Sequence, residues 1–164
     1  MNHTKRYKLI LYVLTLFGII LLPVGLKRKP RKDWIIVFLL KTLISSFVGN
    51  VIAATKTLEF PVRLFPKAFK SSVLYDILLF PLLCLFYNQT TYKSKLIGII
   101  SQEFMYSLPM TWIEIILEKK TNLIKYNSWK WYYTLFSLTG TFLLVRGVIG
   151  YIRKITLTEP AETN

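Results

Sequence analysis

The sequence predicts an all-α integral membrane bundle of about five transmembrane helices, with a short interfacial segment at residues 55–72. Three observations carry that expectation. Five long apolar stretches (residues 9–26, 34–54, 73–87, 96–117 and 131–151) fill most of the 164 residues. The first holds no charged residue and each of the others only one or two. Of the 22 Lys and Arg, 20 lie outside these stretches or at their edges. A hydrocarbon core about 30 Å thick needs about 20 helical residues to cross it, and four of the five stretches come close to that. The chain is 53% hydrophobic with a mean hydropathy of +0.43. A water-soluble helical domain keeps polar faces between its helices, whereas residues 9–26 and 34–40 have no polar face wide enough to meet water. The connections are too short for a separate soluble unit, so residues 1–164 are read as a single transmembrane domain.

Each element has a local justification. Before span 9–26, Lys5-Arg6-Tyr7-Lys8 would fit the start of a secretory signal. The apolar run is long for one, lacks a small-x-small cleavage site and is followed by Lys27-Arg28-Lys29, so a retained span is expected. Pro23 and Gly25 mark its end. Lys27-Arg28-Lys29-Pro30-Arg31-Lys32 is the densest basic run, and Trp34 opens span 34–54 where aromatics settle at an interface. In 55–72, Pro61 and Pro66 prevent one continuous helix. Arg63, Lys67 and Lys70 can snorkel while Leu64, Phe65 and Phe69 dip into the headgroup layer. This segment either lies on the membrane, with a short helix starting at Pro66, or forms an ordinary loop. Span 73–87 is the shortest and is interrupted by Pro81; the polar turn Asn88-Gln89-Thr90-Thr91 follows. Pro109 interrupts span 96–117. The connection 118–130 carries four lysines, and Trp129, Trp131, Tyr132 and Tyr133 form an aromatic belt opening span 131–151. The tail after Lys154 is short, polar and expected to be disordered.

The net charge of +14 narrows the partners. Nucleic-acid binding requires a coherent soluble basic face, and these cations flank apolar spans instead, where they anchor to headgroups and attract anionic lipids. The expected partners are therefore the lipid bilayer, its anionic lipids, and another membrane protein, with no nucleic acid. Cys84 is the single cysteine and His3 the single histidine, which argues against a His/Cys metal site; an all-carboxylate site stays open. No cofactor is expected. The two sides of a five-span chain carry 11 and 9 Lys/Arg, so their sum does not decide orientation. Five cations follow the first span against three before it, which places residues 27–32 and the C-terminus in the cytoplasm and the N-terminus outside, in a cell membrane.

Five ionisable residues sit within the spans: Lys41, Asp76, Glu103, Glu114 and Arg146. A mid-helix Lys, Arg or Asp costs about 2.5–3.5 kcal/mol on insertion scales, so such groups face the bundle and find partners. At about 1.5 Å per residue, Lys41 lies about 10 Å below the face bearing residues 27–32, and Arg146 about 8 Å below it. Glu103 lies at a similar depth. A Lys41–Glu103–Arg146 cluster is the expectation, with Asn50, Asp76 and Glu114 forming a second polar group near the opposite face. Lys41, Ser45, Gly49 and Ala53 recur every four residues, a small-xxx-small stripe that lets helices approach closely. Glu103, Ser107, Met110 and Glu114 share one face of the fourth span, and Thr139, Arg146 and Gly150 one face of the fifth. Three readings remain open: the charges fix helix register, they line a pathway near helices broken at Pro81 and Pro109, or they grip a partner.

Enzyme chemistry finds little to stand on. Glu103 and Glu114 are eleven residues apart, about 16 Å along a helix, too far for a carboxylate pair working on one bond. There is no Gly-rich phosphate loop and no histidine within the spans. A Ser–Lys dyad of Lys41 with Ser45-Ser46 is a weak feature. Asn2-His3-Thr4 and Asn88-Gln89-Thr90 match glycosylation sequons by chance.

Several motifs occur in order: Phe60-Pro61-Val62-Arg63-Leu64-Phe65-Pro66-Lys67, Tyr75-Asp76-Ile77-Leu78-Leu79-Phe80-Pro81-Leu82-Leu83-Cys84, Tyr87-Asn88-Gln89-Thr90-Thr91-Tyr92, Ser107-Leu108-Pro109-Met110-Thr111 with Glu114, and Leu117-Glu118-Lys119-Lys120-Thr121-Asn122-Leu123-Ile124. Together, over most of residues 28–153, they resemble an uncharacterised family of small multi-pass membrane proteins from endospore-forming Gram-positive bacteria. The resemblance implies a bacterial cell membrane and a spore-related setting, and supplies no site residues. The functional expectation is a small non-enzymatic membrane protein, structural or partner-recruiting. The alternative is a transporter or channel component using Lys41, Glu103 and Arg146.

Overall fold

The computed structural model describes residues 3–67 and 69–158. It is mostly helical, with α1 His3–Leu26, α2 Arg31–Ala54, α3 Phe80–Thr90, α4 Leu96–Lys120 and α5 Trp131–Thr158. A π-helical segment, Leu74–Leu79, runs directly into α3. Two short strands, β1 Leu58–Glu59 and β2 Lys125–Tyr126, pair antiparallel. Among the described residues, three helices are long and apolar enough to cross a membrane: α1, α2 and α5. That is fewer than the five spans expected. The π-segment with α3 is too short, and α4 carries Glu103 and Glu114 together with Glu118, Lys119 and Lys120 at its end.

The columns nonetheless run end to end. One end gathers the α1–α2 turn, the α3–α4 turn and the C-terminal part of α5. There Gln89 donates to the Gly25 carbonyl at 2.6 Å, Trp34 meets Tyr92 edge-on, and Arg153 donates to Asp33 at 2.5 Å. The other end gathers the two long connections, joined by the β1–β2 ribbon. The α2 helix lies at the centre, packed on α3, α5 and the π-segment; α1 leans on α3 and the π-segment, and α4 on α5.

Local chemistry explains the boundaries. Asp33 in the first turn of α2 and Lys119–Lys120 in the last turn of α4 complement the helix dipoles. At the end of α2, Lys56 takes a left-handed φ of 54°, the conformation that closes helices, and its carbonyl accepts from Asn127. Pro81 falls in the first turn of α3, where its missing N–H costs least. The i+5 hydrogen bonding immediately before it, seen in Phe80 N–H to the Tyr75 carbonyl, is the interruption expected at this proline. Pro109, by contrast, faces outward within an unbroken α4.

Three loop expectations change. Residues 55–72 contribute β1 and bury Leu58 and Phe60 while exposing Phe65 and Phe69; no helix starts at Pro66 among the described residues, and Ala68 lies outside them. Asn88, Gln89 and Thr91 are buried rather than an exposed turn, because α3 continues to Thr90 and brings them against α1 and α5. The region after Lys154 continues α5 to Thr158; residues 159–164 lie outside the described part.

Two apolar clusters form the core. One joins α2, α3 and α5 around Trp34, Val37, Leu85, Tyr87 and Phe142. The other joins α1, the ribbon and the π-segment around Leu11, Phe60, Leu74 and Leu123. Much of the outer surface is apolar: Phe47 is 71% exposed, Met105 72% and Phe136 70%.

Candidate functional site: a charged cavity inside the bundle

The stripe predicted on α2 points inward. Lys41, Ser45 and Ala53 are buried and Gly49 half-buried. Gly49 sits against the Asp76 carboxylate so closely that a Cβ there would collide with it. Ser45 fixes the height of the two elements: its hydroxyl lies 2.6 Å from the Lys41 carbonyl and 2.5 Å from the Asp76 carbonyl. The π-segment thus lies backbone-close to α2, and Asp76 enters from it.

Between α2, the π-segment, α4 and α5 lies a cavity of about 70 Å³, room for more than one water molecule. Its charged lining residues are Lys41, Asp76 and Glu114, each nearly inaccessible from outside. The Lys41 ammonium donates to Thr141 Oγ1 at 2.6 Å and lies 5.1 Å from the centre of the Phe142 ring. Asp76 is the carboxylate whose charge reaches it, although no direct ion pair joins the two. Asp76 is 5% exposed and its Oδ2 has no hydrogen-bond partner. Glu114 Oε1 accepts from Tyr126 and Thr134, each at 2.7 Å. Burial, then the nearby Glu114 charge, hold the Tyr126 phenol above its usual range, so it stays protonated and donates.

The expected Lys41–Glu103–Arg146 cluster does not form. No ion pair links the three. Arg146 donates to the hydroxyl and carbonyl of Thr91 at 3.2 and 3.0 Å. Glu103 is 0% exposed and neither carboxylate oxygen makes a hydrogen bond of normal geometry, although the Ser107 and Thr139 hydroxyls lie beside it. The physical reason is azimuth. Equal depth places groups at one level but does not turn them toward each other. In the second polar group, Asp76 and Glu114 do share the cavity, while Asn50 is exposed and donates to its own helix at the Ser46 carbonyl. The sequon asparagine Asn88 is 0% exposed and bonded to the Cys84 carbonyl, which denies it to glycosylation; Asn2 lies outside the described residues.

The reading from sequence missed Thr134, Thr141, Thr91 and Tyr126, the neutral partners of the charges. Thr134 and Thr141 are seven residues apart on the face that also buries Leu138 and Val145, and that spacing was the available signal. Among the described residues no three His, Cys, Asp or Glu side chains come together as a metal site. No family model, curated protein or solved structure matches the chain.

Proposed function

We propose that this chain is a non-enzymatic integral membrane protein whose five columns all cross the bilayer, with the inner charges and their neutral partners holding one packing. The observation that carries the proposal is the reversal of polarity across the bundle. Large apolar side chains cover the outside of α1, α2, α4 and α5, while Lys41, Asp76, Glu103 and Glu114 are buried. Water would invert that arrangement; lipid favours it. Spans three and four fall short by length or charge alone, but their polar groups face inward. The basic ends suit anionic headgroups, the apolar outer faces of α1 and α4 suit a membrane partner, and the family resemblance supports a bacterial cell membrane and a spore-related setting.

Two experiments test this. The protein should remain with membranes after alkaline carbonate washing; release would end the lipid reading. Native Cys84 is buried, so single introduced cysteines report sidedness with an impermeant maleimide. Asn122→Cys should label on intact cells, and Lys93→Cys only after permeabilisation. Reversed labelling would overturn the orientation, and labelling of both from outside would reduce the crossings to three.

The cavity favours a second reading, a component of a small-solute pathway. On that reading Lys41, Asp76 and Glu114 line the route, in place of Glu103 and Arg146. Reconstituted vesicles should then show solute flux that Lys41→Met abolishes.

A further inference from the structure

The cavity has an unbalanced charge. Its lining contains one cation, Lys41, and two carboxylates, Asp76 and Glu114. Counted as ionised, they leave one net negative charge among side chains that are each at most 5% exposed, where an uncompensated charge is costly. The two carboxylates also differ in how they are satisfied. Glu114 has two donors, Tyr126 and Thr134, on one oxygen. Asp76 Oδ2 has no hydrogen bond of normal geometry, although the residue is buried in the cavity lining and the Ser71 hydroxyl lies beside the carboxylate. Gly49 preserves that space, since any side chain there would displace the Asp76 carboxylate.

We propose that the cavity binds one monovalent metal cation, sodium or potassium, held by Asp76 Oδ2 with Glu114 completing the charge balance. The lining adds hydroxyl oxygens from Ser137 and Thr134, and the remaining volume takes water as further ligands. A monovalent ion fits better than a divalent one. The deficit is a single charge, the Lys41 ammonium repels a second, and among the described residues no third carboxylate joins the group. The inference stands apart from the membrane reading, because it depends only on the interior of the bundle.

The test uses the full chain purified in detergent at fixed pH and ionic strength, comparing sodium, potassium and N-methylglucamine chlorides. The expected result is a saturable rise in melting temperature with sodium or potassium over N-methylglucamine, larger for one of the two metals. Equilibrium dialysis of wild-type protein against radioactive sodium or rubidium should give a stoichiometry near one per chain, and this needs no variant to fold. Asp76→Asn and Glu114→Gln should each weaken binding at least tenfold. Equal melting temperatures in all three salts, with no bound metal on dialysis, would overturn the proposal and leave a proton shared by the carboxyls as the neutralising cation. A rise of the same size in N-methylglucamine would reduce the effect to screening and overturn it equally. Carbonate washing is unaffected by either outcome.

Discussion

Replacing Lys41 by methionine tests whether the buried ammonium is paired, and with which carboxylate. Methionine keeps the stem and removes the charge. The change deletes the hydrogen bond to Thr141 and the contact with the Phe142 ring, and leaves Asp76 facing no cation. A charge-assisted hydrogen bond contributes about 1.5–3 kcal/mol and a cation over a ring about 0.5–2 kcal/mol. Polar contacts between membrane helices lie at the low end of such ranges. The loss should be about 3 kcal/mol, or about 6–12 °C in melting temperature for a chain of this size. Asp76→Asn should cost a similar amount, since it strands Lys41 without altering the fit against Gly49. Together the two should cost about 4 kcal/mol rather than the sum of about 6, because neither charge is then abandoned while the Thr141 and Phe142 contacts stay lost. Thr141 also keeps its bond to the Ser137 carbonyl at 2.8 Å. Lys41→Met with Glu103→Gln should instead add to within about 0.5 kcal/mol, as independent sites do. Unfolding in mixed detergent micelles at constant salt supplies these four values and that of Glu103→Gln alone, which closes the second cycle. A Lys41→Met protein as stable as wild type, or a cycle that couples Lys41 to Glu103 rather than Asp76, would refute the pairing.

Other outcomes follow from the same geometry. Gly49→Val should destabilise the bundle by about 1–3 kcal/mol, the usual cost of overpacking, because its side chain meets the Asp76 carboxylate; detergent melts would show it. Leu43→Lys places a charge on an outward face that is 70% exposed. In lipid this should oppose insertion by about 2.5–3.5 kcal/mol, read as a lower inserted fraction in a translocon assay, whereas full insertion would contradict the lipid-facing assignment. Thr91→Val removes the hydroxyl contact of Arg146 and keeps the carbonyl one, and should lower the melting temperature by a few degrees, about 1 kcal/mol.

Legibility in the sequence followed periodicity. The inward stripe Lys41–Ser45–Gly49–Ala53 and, on the α4 face, Glu103, Ser107 and Glu114 appear as expected, while Met110 is only half-buried and Thr111 takes a buried place; spacing along one helix fixes which residues share a side. Which helix that side meets is tertiary information. Lys41 therefore sits near Asp76 across the α2–π contact, and Arg146 finds Thr91. The π-segment adds a rotational offset that no 3.6-residue count contains, and this offset delivers Asp76 to the cavity. The β1–β2 ribbon also escaped, since strands of two residues have no periodicity to read. Asn88, Gln89 and Thr91 looked like a turn because polar residues after an apolar run usually are; here they fill the contact with α1 and α5.

The two ends of the bundle are fastened differently. Backbone hydrogen bonds between β1 and β2, and from residues 127–129 to the Thr57 carbonyl, stitch one end together. Side-chain donors close the other across helices, Gln89 on Gly25, Arg146 on Thr91 and Arg153 on Asp33. A bundle made this way behaves like a clothes-peg, with its spring at the stitched end. Side-chain contacts can be undone one at a time, so opening is expected first at the jaws, beside the basic turns.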